Sequence, residues 1–283
     1  MEFILAAIDA SAHAPSVCKY AVWAAQRLSL PIELLHVVQR QDAVAARRDL
    51  SGAIGLGVKS GLMEELVRLS EESSRVEIEK GRVLLAAGEQ IVREAGVNDI
   101  TTLHRHGGVV ETILEHEENA RIVVLGRRGT DHEFAPEHIG SMIERVVRAS
   151  TRPVMIVSRA FVAPEHVVFA YDASPAAKRA LERLANSPLF DGLPVTIVMA
   201  EASGETKRAA LAEAEAVFAP GHSVTTVLDP GKAELVIPRV VGAVDNPLLL
   251  MGAYGHSPIR NLIVGSTTTA MIRTVRVPVL LVR

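Results

Sequence analysis

Along the chain, compact apolar runs alternate with stretches whose apolar positions recur at the three-and-four spacing of a helix. Read with those two periods, the first half predicts a strand at 3–8, a helix at 14–28 and a strand at 32–38. An insertion and a long helical stretch over roughly 60–95, rich in Glu, Arg, Leu and Ala, come next. A short strand near 99–103, helix 109–118, strand 121–126, loop 127–139, helix 140–149 and strand 153–158 complete that half. The second half predicts strands at 166–171, 194–199, 223–228, 247–252 and 277–282, with helices at 174–186, 205–217, 232–242 and 265–274 between them. Strands alternating with helices imply right-handed crossovers and a parallel, doubly wound sheet. In such sheets ligands sit at the carboxyl ends of the strands, beside the switch point in strand order.

The two halves repeat each other. Residues 3–11 end in Ile-Asp-Ala-Ser and residues 166–174 in Tyr-Asp-Ala-Ser, so Asp9 pairs with Asp172 and Ser11 with Ser174 at an offset of 163. That offset still holds at Pro31 and Pro194. It becomes 126 at Gly126 and Gly252, then 125 at Gly140 and Gly265, Arg148 and Arg273, and Pro153 and Pro278. The first copy therefore holds 37 more residues between its second strand and its glycine loop, and a glycine loop one residue longer. Two divergent copies of one domain, at 1–160 and 163–283, follow from the repeat.

Composition narrows the class. A net charge of −3 and a pI of about 6.4 give nothing that draws the chain to nucleic acid or to anionic lipid. Hydrophobic residues make up 48% and aromatics 4%, so the core is built from Val, Leu, Ile and Ala, the filling of a covered parallel sheet. The one cysteine, Cys18, excludes an internal disulfide framework and a cysteine-cluster zinc site. The N-terminus reads without a signal peptide, and no apolar run is long enough to span a bilayer, so a cytoplasmic protein with no membrane attachment is expected.

Chemistry concentrates in the glycine loops. The second copy carries Gly252-Ala253-Tyr254-Gly255, nine residues, then Gly265-Ser266-Thr267. The first carries Gly126-Arg127-Arg128-Gly129, ten residues, then Gly140-Ser141. Each follows a strand and precedes a helix, where freed backbone amides cradle anions. The expected ligand is a phosphate-bearing nucleotide. The second spacer offers His256 and Arg260 and no acid, whereas the first contains Asp131, Glu133 and Glu137, offset only by Arg127 and Arg128. The second site should bind better. The alternative is that both loops only turn the chain between strand and helix.

The first-strand aspartates together with the Gly-x2-Gly-x9-Gly-Ser/Thr pattern make the chain resemble a tandem universal stress protein, two such domains fused end to end. The second copy matches that pattern from Gly252 to Ser266, and the first departs by one residue in its spacer. The resemblance implies an α/β fold of two tandem doubly wound parallel five-stranded sheets, Rossmann-like and adenine nucleotide alpha hydrolase-like, packed as a pseudo-dimer through the last strands. It also implies ATP, with Mg²⁺ accompanying the nucleotide. Carried over, the second site would use Asp172, Gly252, Gly255, Gly265, Ser266 and Thr267, with adenine near Met199 or Ala200. The first would use Asp9, Gly126, Gly129, Gly140 and Ser141, with adenine near Val37 or Val38. Further pairing into a homodimer is common among tandem members.

Other candidates are weaker. Gly55-Leu56-Gly57 with Gly61 follows a polar stretch and has the wrong spacing for a dinucleotide loop. His138-Ile139-Gly140 lacks the second histidine of a nucleotidyltransferase signature. His104, His106, His132 and His138 could ligate a metal, but no spacing fixes a geometry and solvated loop histidines are the plainer reading. No catalytic residues are assigned, because Ser141 and Ser266 have no histidine partner in the sequence and suit a helix cap or a phosphate contact. Cys18, among Val17, Tyr20, Ala21 and Val22, reads as a packing residue. Three functions follow: a nucleotide-responsive stress or signalling module, a nucleotide-independent scaffold, and a slow ATPase.

Overall fold

The computed structural model describes residues 1–38, 58–127, 141–252 and 266–282. Residues 39–57 of the insertion expected near 39–65, with Gly55 to Gly57, and His132, His138, Gly129, Gly140, Gly255 and Gly265 lie outside the described residues. In the first half β1 (Phe3–Ala7), α1 (Ala14–Leu28), β2 (Ile32–Val38), α2 (Val58–Glu94), β3 (Ile100–His106), α3 (Val109–His116), β4 (Ala120–Gly126), α4 (Ser141–Ala149) and β5 (Val154–Val157) follow one another. In the second half β6 (His166–Ala170), α5 (Pro175–Asn186), β7 (Val195–Ala200), α6 (Glu205–Glu215), β8 (Val224–Asp229), α7 (Ala233–Val241), β9 (Pro247–Gly252), α8 (Ser266–Thr274) and β10 (Val279–Val282) repeat that order.

All ten strands join one sheet, ordered β3-β2-β1-β4-β5-β10-β9-β6-β7-β8. Within each half the pairing is parallel, and the halves meet where β5 and β10 run antiparallel, with Leu280 opposite Met155. The repeat is visible in the register itself. Ile4 pairs with Ile32 and Val167 with Val195, while Ile4 meets Ile122 and Val167 meets Leu248. These pairs reproduce the sequence offsets of 163 and 126. Val123 with Val154 and Leu249 with Val279 reproduce the final offset of 125.

Side-chain alternation along the strands feeds two core layers, one on each face of the sheet. Ile4, Ala6, Leu34, Met155, Phe169 and Leu280 fill one layer beneath α1, α2 and α5. Leu5, Leu35, Ile156, Val168, Leu249 and Leu281 fill the other beneath α3, α4, α7 and α8. Because both layers contain residues of β5 and β10, the halves share their cores. All four residues of each of these strands are buried. The low aromatic content leaves this interior to aliphatic side chains, with Tyr20 and Phe169 its largest members.

Part of the first copy's surplus length goes into α2, 37 residues long where its counterpart α6 has 11. Leu85 and Val92 of α2 are buried against the sheet and α1, while residues 71–77 are exposed. Helix α1 also holds the end of the first half, the linker and the second half in turn. Ser16 Oγ donates to the Ser158 carbonyl (2.6 Å), Tyr20 OH donates to Val162 O (3.1 Å), and Arg27 Nε donates to Leu189 O (2.5 Å).

Candidate functional site

The strand order places a switch point in each half: β1 lies between β2 and β4, and β6 between β7 and β9. Ala7 pairs with Leu125 and Ala170 with Met251. One step further, Ile8 stands beside Gly126 and Tyr171 beside Gly252, with Asp9 and Asp172 just beyond. The two aspartates and the two strand-end glycines therefore flank the crevice where doubly wound sheets hold ligands. Val37 and Val38 end β2, and Met199 and Ala200 end β7, on the same edge. Ile8 N donates to Leu35 O and Tyr171 N to Val198 O, both at 2.9 Å, so the two crevices share a backbone frame.

Each aspartate makes the same local turn. Asp9 Oδ1 accepts from Ser11 N (3.1 Å), and Asp172 Oδ1 accepts from Ser174 N (2.9 Å). A short side chain bonding the amide two residues on is an Asx turn, and this one aims the chain from strand to helix. The copies then diverge. Ser174 caps α5, its Oγ accepting from Ala177 N (3.2 Å), whereas Ser11 Oγ accepts from His13 N (3.3 Å) ahead of α1. Asp172 is exposed, and Asp9 is half-buried.

Gly252 has a second reason to be glycine. A Cβ there would come within 3.0 Å of Ala177 N and 3.1 Å of the Ala176 carbonyl carbon. The space beside this strand end is already filled by the first turn of α5. Backbone packing alone therefore forbids a side chain at 252, whatever the crevice holds.

The helices behind the glycine loops begin at Ser141 and Ser266. Their first turns differ in charge. Helix α4 carries Glu144 there, and α8 carries no acid. The α8 turn continues through Thr267, half-buried, and Thr268, buried, to Thr269, whose buried Oγ1 has no hydrogen-bond partner. Arg127, which in the sequence offsets the acids of the first loop, is turned elsewhere. Its Nη2 donates to Val277 O (2.9 Å) and its Nη1 to Val275 O, so its guanidinium ties the first half to the approach of β10.

The histidines differ from their sequence reading. His104 and His106 lie within β3 and not in a loop, because β3 pairs with β2 over its full length up to Val38 and His106. Their rings stack at 5.6 Å, and His36 lies 5.4 Å from His104, a neighbour revealed only by the β2–β3 register. His36 Nδ1 bonds the Ile8 carbonyl (2.9 Å), just ahead of Asp9. Helix α2 crosses this stack at Gly81, where a Cβ would overlap the His104 imidazole. Burial, and then the charges of His36, His106 and Arg82, hold His104 below the ordinary imidazole range. Among the described residues no group of three His, Cys, Asp or Glu side chains is placed to hold a metal ion. Cys18 is 1% exposed, and burial pushes its thiol up to about 12, which keeps it protonated and inert.

Two parallel half-sheets, each with an aspartate and a glycine across its switch point and each closed by a shared final strand, define a tandem doubly wound α/β protein. The model of the universal stress protein family matches residues 1–158 and again 164–283. Universal stress protein Slr1230 of Synechocystis is 34% identical over 290 residues, covering 100% of both chains. A universal stress protein of Mycolicibacterium smegmatis is 22% identical over 300 residues, 99% of this chain and 96% of that one. A universal stress protein from Archaeoglobus fulgidus has the same fold, with a TM-score of 0.74 at 22% identity over 99% of this chain and 95% of its own. The chain belongs to the universal stress protein family, which supports a role in the stress response. No helix among the described residues is long and apolar enough to cross a membrane.

Proposed function

We propose that this protein is an ATP-binding stress or signalling module of the cytoplasm, its surface responding to nucleotide held mainly in the second half. The observation that carries the reading is Asp172 and Gly252 standing just past the Ala170–Met251 pair at the β6–β9 switch point, ahead of a helix whose first turn bears hydroxyls and no acid. The residues fit a nucleotide. Gly255 and Gly265 would supply amides, Ser266 and Thr267 hydroxyls, and Asp172, which is exposed, a carboxylate for ribose hydroxyls or a nucleotide-bound Mg²⁺. Met199 and Ala200 would border the adenine. In the first half Asp9, Val37, Val38, Gly126, Gly129, Gly140 and Ser141 would form the weaker site, since Glu144 opposes phosphate and Arg127 is engaged with the second half.

A bound nucleotide would supply the charge and adenine that partners read, and the chain's part is to orient it and shield it from water. No nucleophile and base pair stands at either crevice among the described residues, so slow hydrolysis is the upper bound of the chemistry. A nucleotide-independent scaffold remains the second reading, favoured by the structural employment of Gly252 and Arg127. Native mass spectrometry of gently purified protein, with Mg-ATP calorimetry, separates the two. One adenine nucleotide per chain, lost in Gly265→Val, supports the proposal. Two per chain overturn the ranking of the sites, and none, with no calorimetric response, leaves the scaffold.

A further inference from the structure

A cleft opens between the halves beside the β5–β10 seam. On one side of the β5–β10 seam the linker between the halves covers α1. Phe161 packs edge-on against Tyr20 with ring centroids 4.7 Å apart, and Tyr20 OH donates to Val162 O. At the repeat's offset of 163, the counterpart of Tyr20 is Arg183 on α5. Arg183 lines a cleft of about 210 Å³ between the halves.

Its floor is apolar, made by Leu28, Leu189, Phe190 and Leu280. Its polar lining is Arg121 from β4, Arg152 ahead of β5 and Arg183, with Thr151 and Ser187, and among the described residues no Asp or Glu lines the cleft. Arg152 donates through Nη2 to the Glu118 carbonyl, while its Nε is buried without a partner. Neither Arg121 nor Arg183 has an ion-pair or hydrogen-bond partner among the described residues. In a chain of net charge −3, three arginines lining one cleft, with the nearby Glu117 carboxylate already bonded to Thr151, are a local excess of positive charge that an anion would neutralise.

We propose that this cleft binds a small organic anion: an apolar or aromatic body against Leu28, Leu189, Phe190 and Leu280, and one carboxylate or phosphate head on Arg121, Arg152 and Arg183. Planar guanidinium forks suit both heads, since each offers paired oxygens. The ligand would touch both halves, and its binding energy would strengthen their contact. The site lies outside both switch-point crevices and does not depend on nucleotide binding there.

Phenyl phosphate and phenylacetate are the probes, with benzyl alcohol and inorganic phosphate as controls, titrated by calorimetry into the intact protein. Both anions should bind, and benzyl alcohol should not. Inorganic phosphate should bind at least about tenfold more weakly than phenyl phosphate, because it buries no apolar surface. Arg121→Ala and Arg183→Ala should each weaken phenyl phosphate roughly tenfold or more, the range of one hydrogen bond to a charged group. Arg121 and Arg183 are exposed, so neither change threatens the fold. Gly265→Val should leave phenyl phosphate binding unchanged. No binding at millimolar probe, equal affinity for inorganic and phenyl phosphate, or full binding in an Arg121→Ala/Arg183→Ala double variant would each overturn the assignment. If phenylacetate binds and phenyl phosphate does not, the head is a carboxylate, and the reverse assigns a phosphate monoester.

Discussion

Replacing Gly252 by alanine tests how the strand end and the helix are fitted together. The added Cβ would lie 3.0 Å from Ala177 N and 3.1 Å from both Ala176 C and Ala177 Cα. Relaxed carbon contacts are about 3.5–4.0 Å, so β9 and the first turn of α5 must part by about half an ångström. All three atoms are backbone, and no side chain can rotate away. Overpacking of this kind costs ~1–3 kcal/mol. Ala177 N is also the donor to Ser174 Oγ, so the same displacement lengthens the α5 cap, an interaction worth about 1 kcal/mol. Against this stands the entropy removed from the unfolded chain by Gly→Ala, ~0.4–1 kcal/mol in the opposite direction. The balance is a net destabilisation of roughly 1–3 kcal/mol, a fall of about 0.3–1 M in the urea midpoint for a slope near 3 kcal/mol/M. Far-UV circular dichroism against urea measures it. A Gly252→Ala protein as stable as the parent, or more so, would refute the packing argument.

Acid should weaken the contact between α2 and the sheet. His104 has its folded-state pKa held below the ordinary 6.5, so the unfolded chain takes up the proton first. The stability this group contributes is present above about pH 6.5 and is lost as pH falls through the lowered folded value. Urea midpoints at pH 7.5 and 5.5 should therefore separate more in the parent than in His104→Gln, and equal separations would remove His104 as the cause. Arg127→Ala deletes two hydrogen bonds from a charged group to the carbonyls of Val275 and Val277, and should cost about 2–4 kcal/mol in the same urea assay. Unchanged stability would show that this tie is not structural. Cys18 should resist a thiol reagent at pH 8 in the native protein and react at once in denaturant, and rapid native labelling would contradict its burial.

Period and repeat made most of the fold readable. Runs such as Val154–Val157 and Val279–Val282 have no polar face, so they had to lie inside a covered sheet, and the repeat offsets carried the strand register with them. Asp9, Asp172, Gly126 and Gly252 were visible because they sit at strand ends next to turn residues. What stayed hidden depends on pairing across long separations. His36 meets His104 only through the β2–β3 register, Arg127 finds its carbonyls some 150 positions away, and Arg121, Arg152 and Arg183 converge from three elements. The packing role of Gly252 was hidden for the same reason: the atoms that exclude a side chain belong to residues 176 and 177.

The seam between the halves limits how this chain can associate. A short, wholly apolar final strand left open would present a row of unpaired backbone groups, the edge along which sheets join. Here β5 and β10 satisfy each other within one chain, and the tether makes that closure nearly independent of protein concentration. The edges that remain are β3 and β8, at the two ends of the ten-stranded order. β3 exposes Thr101, Thr102, Arg105 and His106, and β8 exposes Thr225, with none of its six residues fully buried. Charged and hydroxylated residues of that kind discourage strand addition. Fusion of the two copies has therefore turned an apolar edge of each half into shared core and left polar edges outside. The same fusion explains why the crevices could diverge. Each half contributes its edge to the other regardless of its loop, so the seam holds whether one crevice or both retain a ligand.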